Sequence, residues 1–194
     1  MRQAELKRKT LETEIYLKLN LDGRGETKLS TGVGFFEHML NTFCRFGFFD
    51  LELEVLGDLH IDAHHTIEDC GIVLGQAFKE ALGDRKGIER TGDCLFPMDE
   101  ALVQVAVDIA NRSYLNWSVD LYLGEIGNFS VEMAEEFFRA FTSNAGLTLH
   151  IILLQGKNRH HILEAVFKGV GKALGLAVRK NPHNQGVLST KGVL

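Results

Sequence analysis

The chain has 194 residues and a formal net charge of −5 at pH 7, with 45% hydrophobic and 24% charged residues. These values are ordinary for a globular domain, and the negative charge gives no general affinity for nucleic acid or an anionic membrane. The first ten residues are hydrophilic with no apolar segment behind them, so we expect neither a signal peptide nor a membrane span and predict a cytoplasmic protein. The three cysteines lack metal-site spacing and favour reduced thiols.

The first half of the chain predicts five elements. They are a strand at 11–20, a second strand at 27–30, a helix at 34–46, a strand at 49–56 and a helix that begins within 60–69 and continues through the apolar run 70–82. The strands alternate apolar and polar residues, whereas the apolar residues of the helices recur with helical spacing. Gly47 is positioned to end the first helix. A turn at 22–25 predicts that the first two strands form a hairpin.

The second half predicts the same order. Its elements are strands at 101–109 and 113–121, a helix at 131–141, a strand at 146–154 and a helix from 160 onward. We therefore predict an internal duplication in one α+β domain, with repeats at approximately 8–88 and 97–180, a join within 82–97 and a C-terminal loop at 181–194. Because each helix must bury an apolar face, we expect two pseudo-equivalent halves, each a small mixed sheet with two helices packed on one face.

The motif His-His-x-x-Glu occurs twice, at 64–68 and at 160–164. We call His64, His65 and Glu68 the first cluster, and His160, His161 and Glu164 the second cluster. Each stands at the start of a predicted helix, where residues four apart share a face. Imidazoles and carboxylates suit a borderline divalent metal. Two such clusters would not stabilise a packed core, because unpaired buried polar groups cost free energy. The repetition therefore favours metal binding.

Basic residues beside small ones provide the next candidates. Arg90, Arg112 and the segment 188–192 are weak signals individually, and a solvated surface role is the alternative for each. Lys168 follows Glu164 by four residues and should share its helix face. Dispersed cations near a metal suit a phosphorylated substrate. The sequence has no Walker or Rossmann glycine loop, so nucleotide binding is not indicated.

Three segments carry a specific resemblance. Residues 34–40, 60–69 and 156–165 resemble the signature segments of the imidazoleglycerol-phosphate dehydratase family of histidine biosynthesis, and the likeness runs from about Arg8 to Leu194. It implies a lyase that converts imidazole glycerol phosphate to imidazole acetol phosphate and water through an imidazolate held by two Mn²⁺ ions per active site. It also implies a homo-oligomer of 24 subunits with active sites at subunit interfaces.

The resemblance also assigns roles to residues. The implied metal ligands are His38, His64, His65, Glu68, Glu136, His160, His161 and Glu164. Many relatives carry histidine where Glu136 stands. A carboxylate can ligate manganese; the alternative is that position 136 provides no ligand and that His150 is the nearest substitute for it. The implied substrate contacts are Glu12, Arg45, Arg90, Arg112, Lys168, Ser189, Thr190, Lys191 and Gly192. Glu12, which the alternation alone would leave on a solvated face, becomes the first candidate to move protons, and Asp108 is the second, with a structural role equally open.

Two rival functions use the same residues. A dinuclear metal hydrolase of phosphate esters would employ the ligands to activate water. A structural metal protein would use the clusters to join subunits. Seven or eight ligands for two ions leave coordination positions open, which argues against the closed four-ligand sets of structural sites.

Overall fold

The computed structural model describes residues 2–193. The first half contains β1 (Gln3–Lys9), β2 (Thr13–Asn20), β3 (Thr27–Ser30), α1 (Gly34–Gly47), β4 (Asp50–Gly57) and α2 (His64–Leu82). The second half contains β5 (Thr91–Met98), β6 (Ala101–Asp108), β7 (Tyr114–Ser118), β8 (Glu125–Ile126), β9 (Phe129–Ser130), α3 (Met133–Ala145), β10 (Thr148–Gln155) and α4 (Arg159–Ala177). Both histidine clusters lie at helix starts, as predicted.

The two large sheets have the same topology. The first has the strand order β1-β2-β4-β3, and the second has β5-β6-β10-β7. In each sheet the last pair, β4 with β3 or β10 with β7, is parallel and the other pairs are antiparallel. The predicted α+β duplication with mixed sheets is therefore confirmed.

The predicted hairpin between the first two strands is wrong. β4 pairs with β2 on one side and with β3 on the other, so β2 and β3 are not neighbours. The turn between them is held from β4, because Asp50 Oδ1 accepts hydrogen bonds from Arg24 N at 2.7 Å and Glu26 N at 3.0 Å. Local turn residues indicated a reversal of the chain, but the strand that fills the gap comes later in the sequence.

Each half also begins with a strand that the hydrophobic pattern did not predict. β1 is rich in charge and buries few of its side chains, so its alternation carries little hydrophobic signal. β5 lies largely within the segment expected to join the halves. Both strands pair antiparallel with the strand that follows them.

The four helices pack between the sheets as two parallel pairs, each pair combining the two halves. α1 contacts α4, and α2 contacts α3. Glycines allow the close approach: a Cβ added to Gly171 would lie 2.2 Å from Phe43 O, and one added to Gly71 would lie 2.6 Å from Phe137 O. This arrangement brings His38 on α1 beside the N-terminus of α4, where the second cluster lies.

One hydrophobic core joins the two halves. Phenylalanines dominate it; Phe141 lies 5.7 Å from Phe78 and 6.2 Å from Phe43, measured between ring centroids. Fully burying such a side chain contributes about 1.5–3 kcal/mol, so the helix layer that carries the site is well supported. Within residues 2–193, no helix is both long and apolar enough to cross a membrane.

Candidate metal and substrate site

The second cluster gains a ligand from α1. Asn158 caps α4 by accepting hydrogen bonds from His160 N at 2.9 Å and His161 N at 3.4 Å. His160 Nε2 lies 3.1 Å from Glu164 Oε2, and His38 Nε2 lies 3.5 Å from the same oxygen. Ligand atoms of these three residues lie within 4.8 Å of one another. Two imidazole nitrogens and a carboxylate oxygen at this spacing fit one divalent ion.

The other oxygen of Glu164 faces a lysine. Lys168 Nζ donates to Glu164 Oε1 at 2.6 Å and lies 5.5 Å from the ring centroid of Phe46. Burial, the largest single cause, acts to raise the pKa of Glu164, but the hydrogen bond and positive charge of Lys168 together with the contact of His38 outweigh it and hold that pKa below its ordinary value. The carboxylate is thus ionised and ready to ligate metal. The contact of Lys168 with phosphate stays a prediction.

The first cluster repeats this geometry in part. Asp62 Oδ1 accepts a hydrogen bond from His64 N at 2.7 Å at the start of α2, and His64 Nε2 lies 3.5 Å from Glu68 Oε2. Among the described residues, no third ligand atom completes a triad here. Glu136 lies on α3, the helix that packs on α2, and its Oε2 is 3.9 Å from Arg139 Nε. Its role as a ligand stays a prediction.

The second histidine of each cluster is oriented by a carboxylate. His65 Nδ1 lies 2.8 Å from Asp58 Oδ2, and His161 Nδ1 lies 2.8 Å from Glu100 Oε2. Metal-binding histidines usually donate their other ring N–H to such a partner, which fixes the tautomer and leaves Nε2 for the metal. Neither Asp58 nor Glu100 belongs to the repeated motif, so the sequence pattern did not indicate them. Asp58 lies only seven residues before His65, whereas Glu100 lies 61 residues before His161.

These contacts shift the pKa values of the carboxylates and the imidazoles in opposite directions. The hydrogen bond from His161 lowers the pKa of Glu100 to about 2, and the one from His65 lowers the pKa of Asp58. The same bonds raise the pKa values of His161 and His65. The carboxylates stay ionised at neutral pH and make both imidazoles more basic, which strengthens them as metal ligands.

Glu12 lies at the first cluster. Its Oε1 is 3.7 Å from His65 Nε2, and its side chain is 53% exposed. In the second half, Asp99 Oδ2 lies 3.8 Å from His161 Nε2. An exposed carboxylate at this position can face both a bound metal and a substrate.

Five of the predicted substrate contacts line a separate cavity of about 720 Å³. It is lined by Arg90, Arg112, Ser189, Thr190 and Lys191, together with Ala110, Val187, Leu188 and Val193. The loop is closed by a hydrogen bond from Gly192 N to Ser189 O at 3.0 Å. Several cations and a hydroxyl around one cavity are suited to an anion.

Asp108 contacts the two arginines that line this cavity. Arg90 Nε and Nη2 donate to its two oxygens at 2.7 and 2.9 Å. Arg112 Nη2 lies 4.0 Å from Asp108 Oδ2. Nearby, Arg85 is 7% exposed and donates to Asn111 Oδ1 at 3.2 Å, which supports the turn that carries Arg112. Arg85 belongs to no motif in the sequence, so its role was not predicted.

Two remaining candidates lie elsewhere. Arg45 lines a different cavity, with Lys172 and Arg179, at the C-terminal ends of α1 and α4. His150 lies on β10 between the buried Leu149 and Ile151, so it projects away from the helices, and its ring is 5.5 Å from that of Tyr114. Neither joins the clusters.

The cavity and the clusters are far apart within one chain. Arg90 N donates to Ala177 O at the end of α4, whereas His160 lies at its beginning. With a rise of 1.5 Å per residue, the 17 intervening steps span roughly 25 Å. One small molecule cannot contact both regions of the same chain.

The fold and the site define a duplicated α+β protein with paired histidine–carboxylate clusters suited to divalent metal. Comparison with known proteins narrows this class. The family described as imidazoleglycerol-phosphate dehydratase matches residues 31–174. The dehydratase of that name from Desulfitobacterium hafniense (strain Y51) is 65% identical over 194 residues, covering 100% of this chain and 99% of the relative. That from Pelobacter propionicus is 56% identical over 193 residues, with 100% and 99% covered.

Solved structures agree. The imidazoleglycerol-phosphate dehydratase from Staphylococcus aureus subsp. aureus N315 superposes with a TM-score of 0.84 at 39% identity, covering 92% of this chain and 99% of that one. The Pyrococcus furiosus enzyme in complex with (S)-C348 gives 0.84 at 38% identity, with 97% and 100% covered. The chain belongs to the imidazoleglycerol-phosphate dehydratase family. It is an enzyme of the hydro-lyase class, with a dehydratase role in histidine biosynthesis.

Proposed function

We propose that this chain removes water from imidazole glycerol phosphate to give imidazole acetol phosphate, and that it uses two Mn²⁺ ions per active site. The observation that carries the proposal is the triad of His38, His160 and Glu164, whose ligand atoms lie within 4.8 Å of one another. The first cluster, with Glu136, supplies the remaining ligands. We also propose that the protein is located in the cytoplasm.

The chemistry explains why metal is needed. The hydrogen to be removed is not next to a carbonyl, so the substrate's imidazole ring has to supply the electrons that expel hydroxide. Bound divalent ions supply Lewis-acid stabilisation of negative charge on that ring. The protein's task is to hold the ring at the clusters, exclude competing orientations and move protons.

Glu12 is proposed to carry the proton. Its carboxylate lies 3.7 Å from His65 Nε2, so it stands beside whatever the first cluster holds. It takes the carbon-bound proton after water departs, and the resulting enol becomes the ketone by tautomerisation. Asp108 is less suited to this role, because both of its oxygens accept hydrogen bonds from Arg90.

The cavity around Arg90, Arg112 and Lys191 is proposed to bind the phosphate, with residues 181–194 closing over it as a loop. Contacts remote from the reacting carbons orient the substrate. Because the cavity lies roughly 25 Å from the second cluster of its own chain, we propose that the active site forms between copies of this chain. Assembly into 24 subunits would bring the cavity of one copy to the clusters of others.

The test is dehydration of imidazole glycerol phosphate by metal-stripped protein, before and after addition of Mn²⁺, followed as formation of the acetol product. We expect no product from the stripped protein and recovery with Mn²⁺. Phosphate release from simple esters without acetol product would instead support the hydrolase. Absence of both activities, with metal shown to be bound and the assembly lost on chelation, would support a structural metal protein.

A further inference from the structure

A buried polar network occupies the first half beside Glu12. Asp69, on α2 directly after Glu68, is 7% exposed. Its Oδ2 accepts a hydrogen bond from Thr13 Oγ1 and lies 2.5 Å from Arg8 Nη1, an atom that is itself buried from solvent. The network thus links β1, the start of β2 and the metal-binding end of α2.

The second half has the same arrangement of strands and helix but lacks this polar network. Arg8 pairs with Ile15 in the first sheet, and Phe96 pairs with Val103 at the matching position of the second. Thr13 begins β2 as Ala101 begins β6, and Ala165 follows Glu164 as Asp69 follows Glu68. The three counterparts, Phe96, Ala101 and Ala165, are all apolar and buried.

The second half shows which part of this junction the fold itself requires. Replacing a buried ion pair by well-packed apolar residues is often neutral or stabilising, because desolvation offsets the attraction. The second half shows that the strand–strand–helix junction forms with apolar residues at all three positions. Stability of the fold therefore does not explain why the first half places a partly buried arginine against a buried aspartate here.

The difference lies in what each half must hold. In the second half, Glu100 accepts hydrogen bonds from His161 Nδ1 at 2.8 Å and Asn158 N at 2.8 Å, so its carboxylate is fixed directly. In the first half the corresponding residue is Glu12, the residue before Thr13. Its carboxylate has no hydrogen bond within the described part of the chain, and its nearest charged neighbour is His65 Nε2 at 3.7 Å. A carboxylate that makes no hydrogen bond, and so remains free for a substrate, must be positioned by contacts of the residue's backbone.

The network reaches that backbone. Thr13 Oγ1 lies 3.3 Å from Thr10 Oγ1, and Thr10 Oγ1 accepts hydrogen bonds from Glu12 N at 3.1 Å and Thr13 N at 3.0 Å. The turn that carries Glu12 is thereby tied to Asp69, one residue from a metal ligand. A shift of either element would change the distance from Glu12 to the first cluster.

We propose that Arg8, Thr13 and Asp69 are positioning residues that hold Glu12 in register with the metal-binding end of α2. The proposal rests on the proposed function, since it assigns Glu12 to the reaction. None of the three residues needs to touch the substrate. The second half needs no such network because Glu100 serves His161 and not the substrate.

The main test exchanges the network for its second-half counterparts in one variant, Arg8→Phe/Thr13→Ala/Asp69→Ala. We expect it to keep the wild-type thermal midpoint and metal content, and to lose kcat by about 10- to 100-fold, the scale of a small misplacement of a reacting group. Amide hydrogen exchange in the turn 10–13 should become faster. A variant with wild-type kcat would overturn the proposal. A variant that fails to fold would overturn it as well, because the network would then be structural.

Two further measurements separate positioning from other effects. Thr13→Val removes the hydroxyl at nearly constant shape and should lower kcat. Thr13→Ser retains the hydroxyl and should keep kcat near the wild-type value. In a Glu12→Gln background the triple exchange should cause no further loss, and losses that multiply would refute action through Glu12. If wild-type protein with Mn²⁺ forms no acetol product, the proposed function fails. If it does form product, and Glu12→Gln loses activity while the exchange does not, only this inference fails.

Discussion

His65 and His161 occupy equivalent places in the two halves and each receives a carboxylate at 2.8 Å on Nδ1, but the carboxylates come from different places in the fold. Asp58 follows β4, whereas Glu100 precedes β6. The duplication preserved the orientation of both imidazoles although it changed the residue that provides it. The requirement is thus chemical: Nε2 must be directed outward and made basic.

The two orienting carboxylates should control metal affinity. Asp58→Asn and Glu100→Gln keep the shape but remove the charge that makes His65 and His161 better ligands, so each should weaken Mn²⁺ binding by about 10- to 100-fold. Titration calorimetry would measure this. Glu52→Gln, which alters an ion pair with Lys28 on the outer side of the first sheet, is the matched control. Equal affinities in all three variants would remove Asp58 and Glu100 from the site.

Glu164→Gln should lower both metal content and kcat. The substitution removes the charge that faces His38 and His160 and leaves Lys168 without its partner. Metal content by atomic emission, together with turnover, would measure the change, and Glu80→Gln at the exposed end of α2 is the control. Wild-type metal content in Glu164→Gln would count against its role as a ligand.

Asp108→Asn should act on substrate binding. Asp108 holds Arg90 through two hydrogen bonds, and a hydrogen bond to a charged group is worth about 1.5–3 kcal/mol. We expect a KM raised roughly tenfold or more with kcat little changed, and the same pattern for Lys191→Ala, which removes a cation from the same cavity. Steady-state kinetics would decide. A collapse of kcat at constant KM would instead make Asp108 a proton carrier.

Glu136 allows a test of the remaining ligand position. If its carboxylate completes the first cluster, Glu136→Gln lowers metal content while Glu136→His retains it, since imidazole is also a suitable ligand. Arg139→Ala is the control for loss of the ion pair that Glu136 makes here. Metal content unchanged in Glu136→Gln would exclude it from the ligand set.

Gly171→Ala should destabilise the helix layer. The new Cβ would lie 2.2 Å from Phe43 O, a backbone atom that cannot move aside alone, so α1 and α4 must separate at a cost of about 1–3 kcal/mol. Urea unfolding would measure the loss, and metal affinity should fall with it because His38 lies on α1. Gly186→Ala, where the added Cβ meets nothing within 4 Å, is the control. Equal stability of the two variants would contradict the close approach.

The sequence by itself determined the features that depend on local spacing. A four-residue step on a helix places His64 with Glu68 and His160 with Glu164 in any fold that keeps α2 and α4. The repeated order of elements indicated two equivalent halves, and the basic segments identified residues that surround one cavity.

Only the tertiary structure decided which elements become neighbours. α1 packs on α4, so His38 of the first half joins the cluster of the second, and β4 separates β2 from β3. The reason is physical: periodicity states which face of an element is apolar, whereas the partner for that face is chosen by shape, here by glycines at Gly71 and Gly171 that admit another helix. The contact of Glu100 with His161 followed from the same choice, because two residues 61 positions apart meet only after the chain has packed, whereas Asp58 reaches His65 across seven residues.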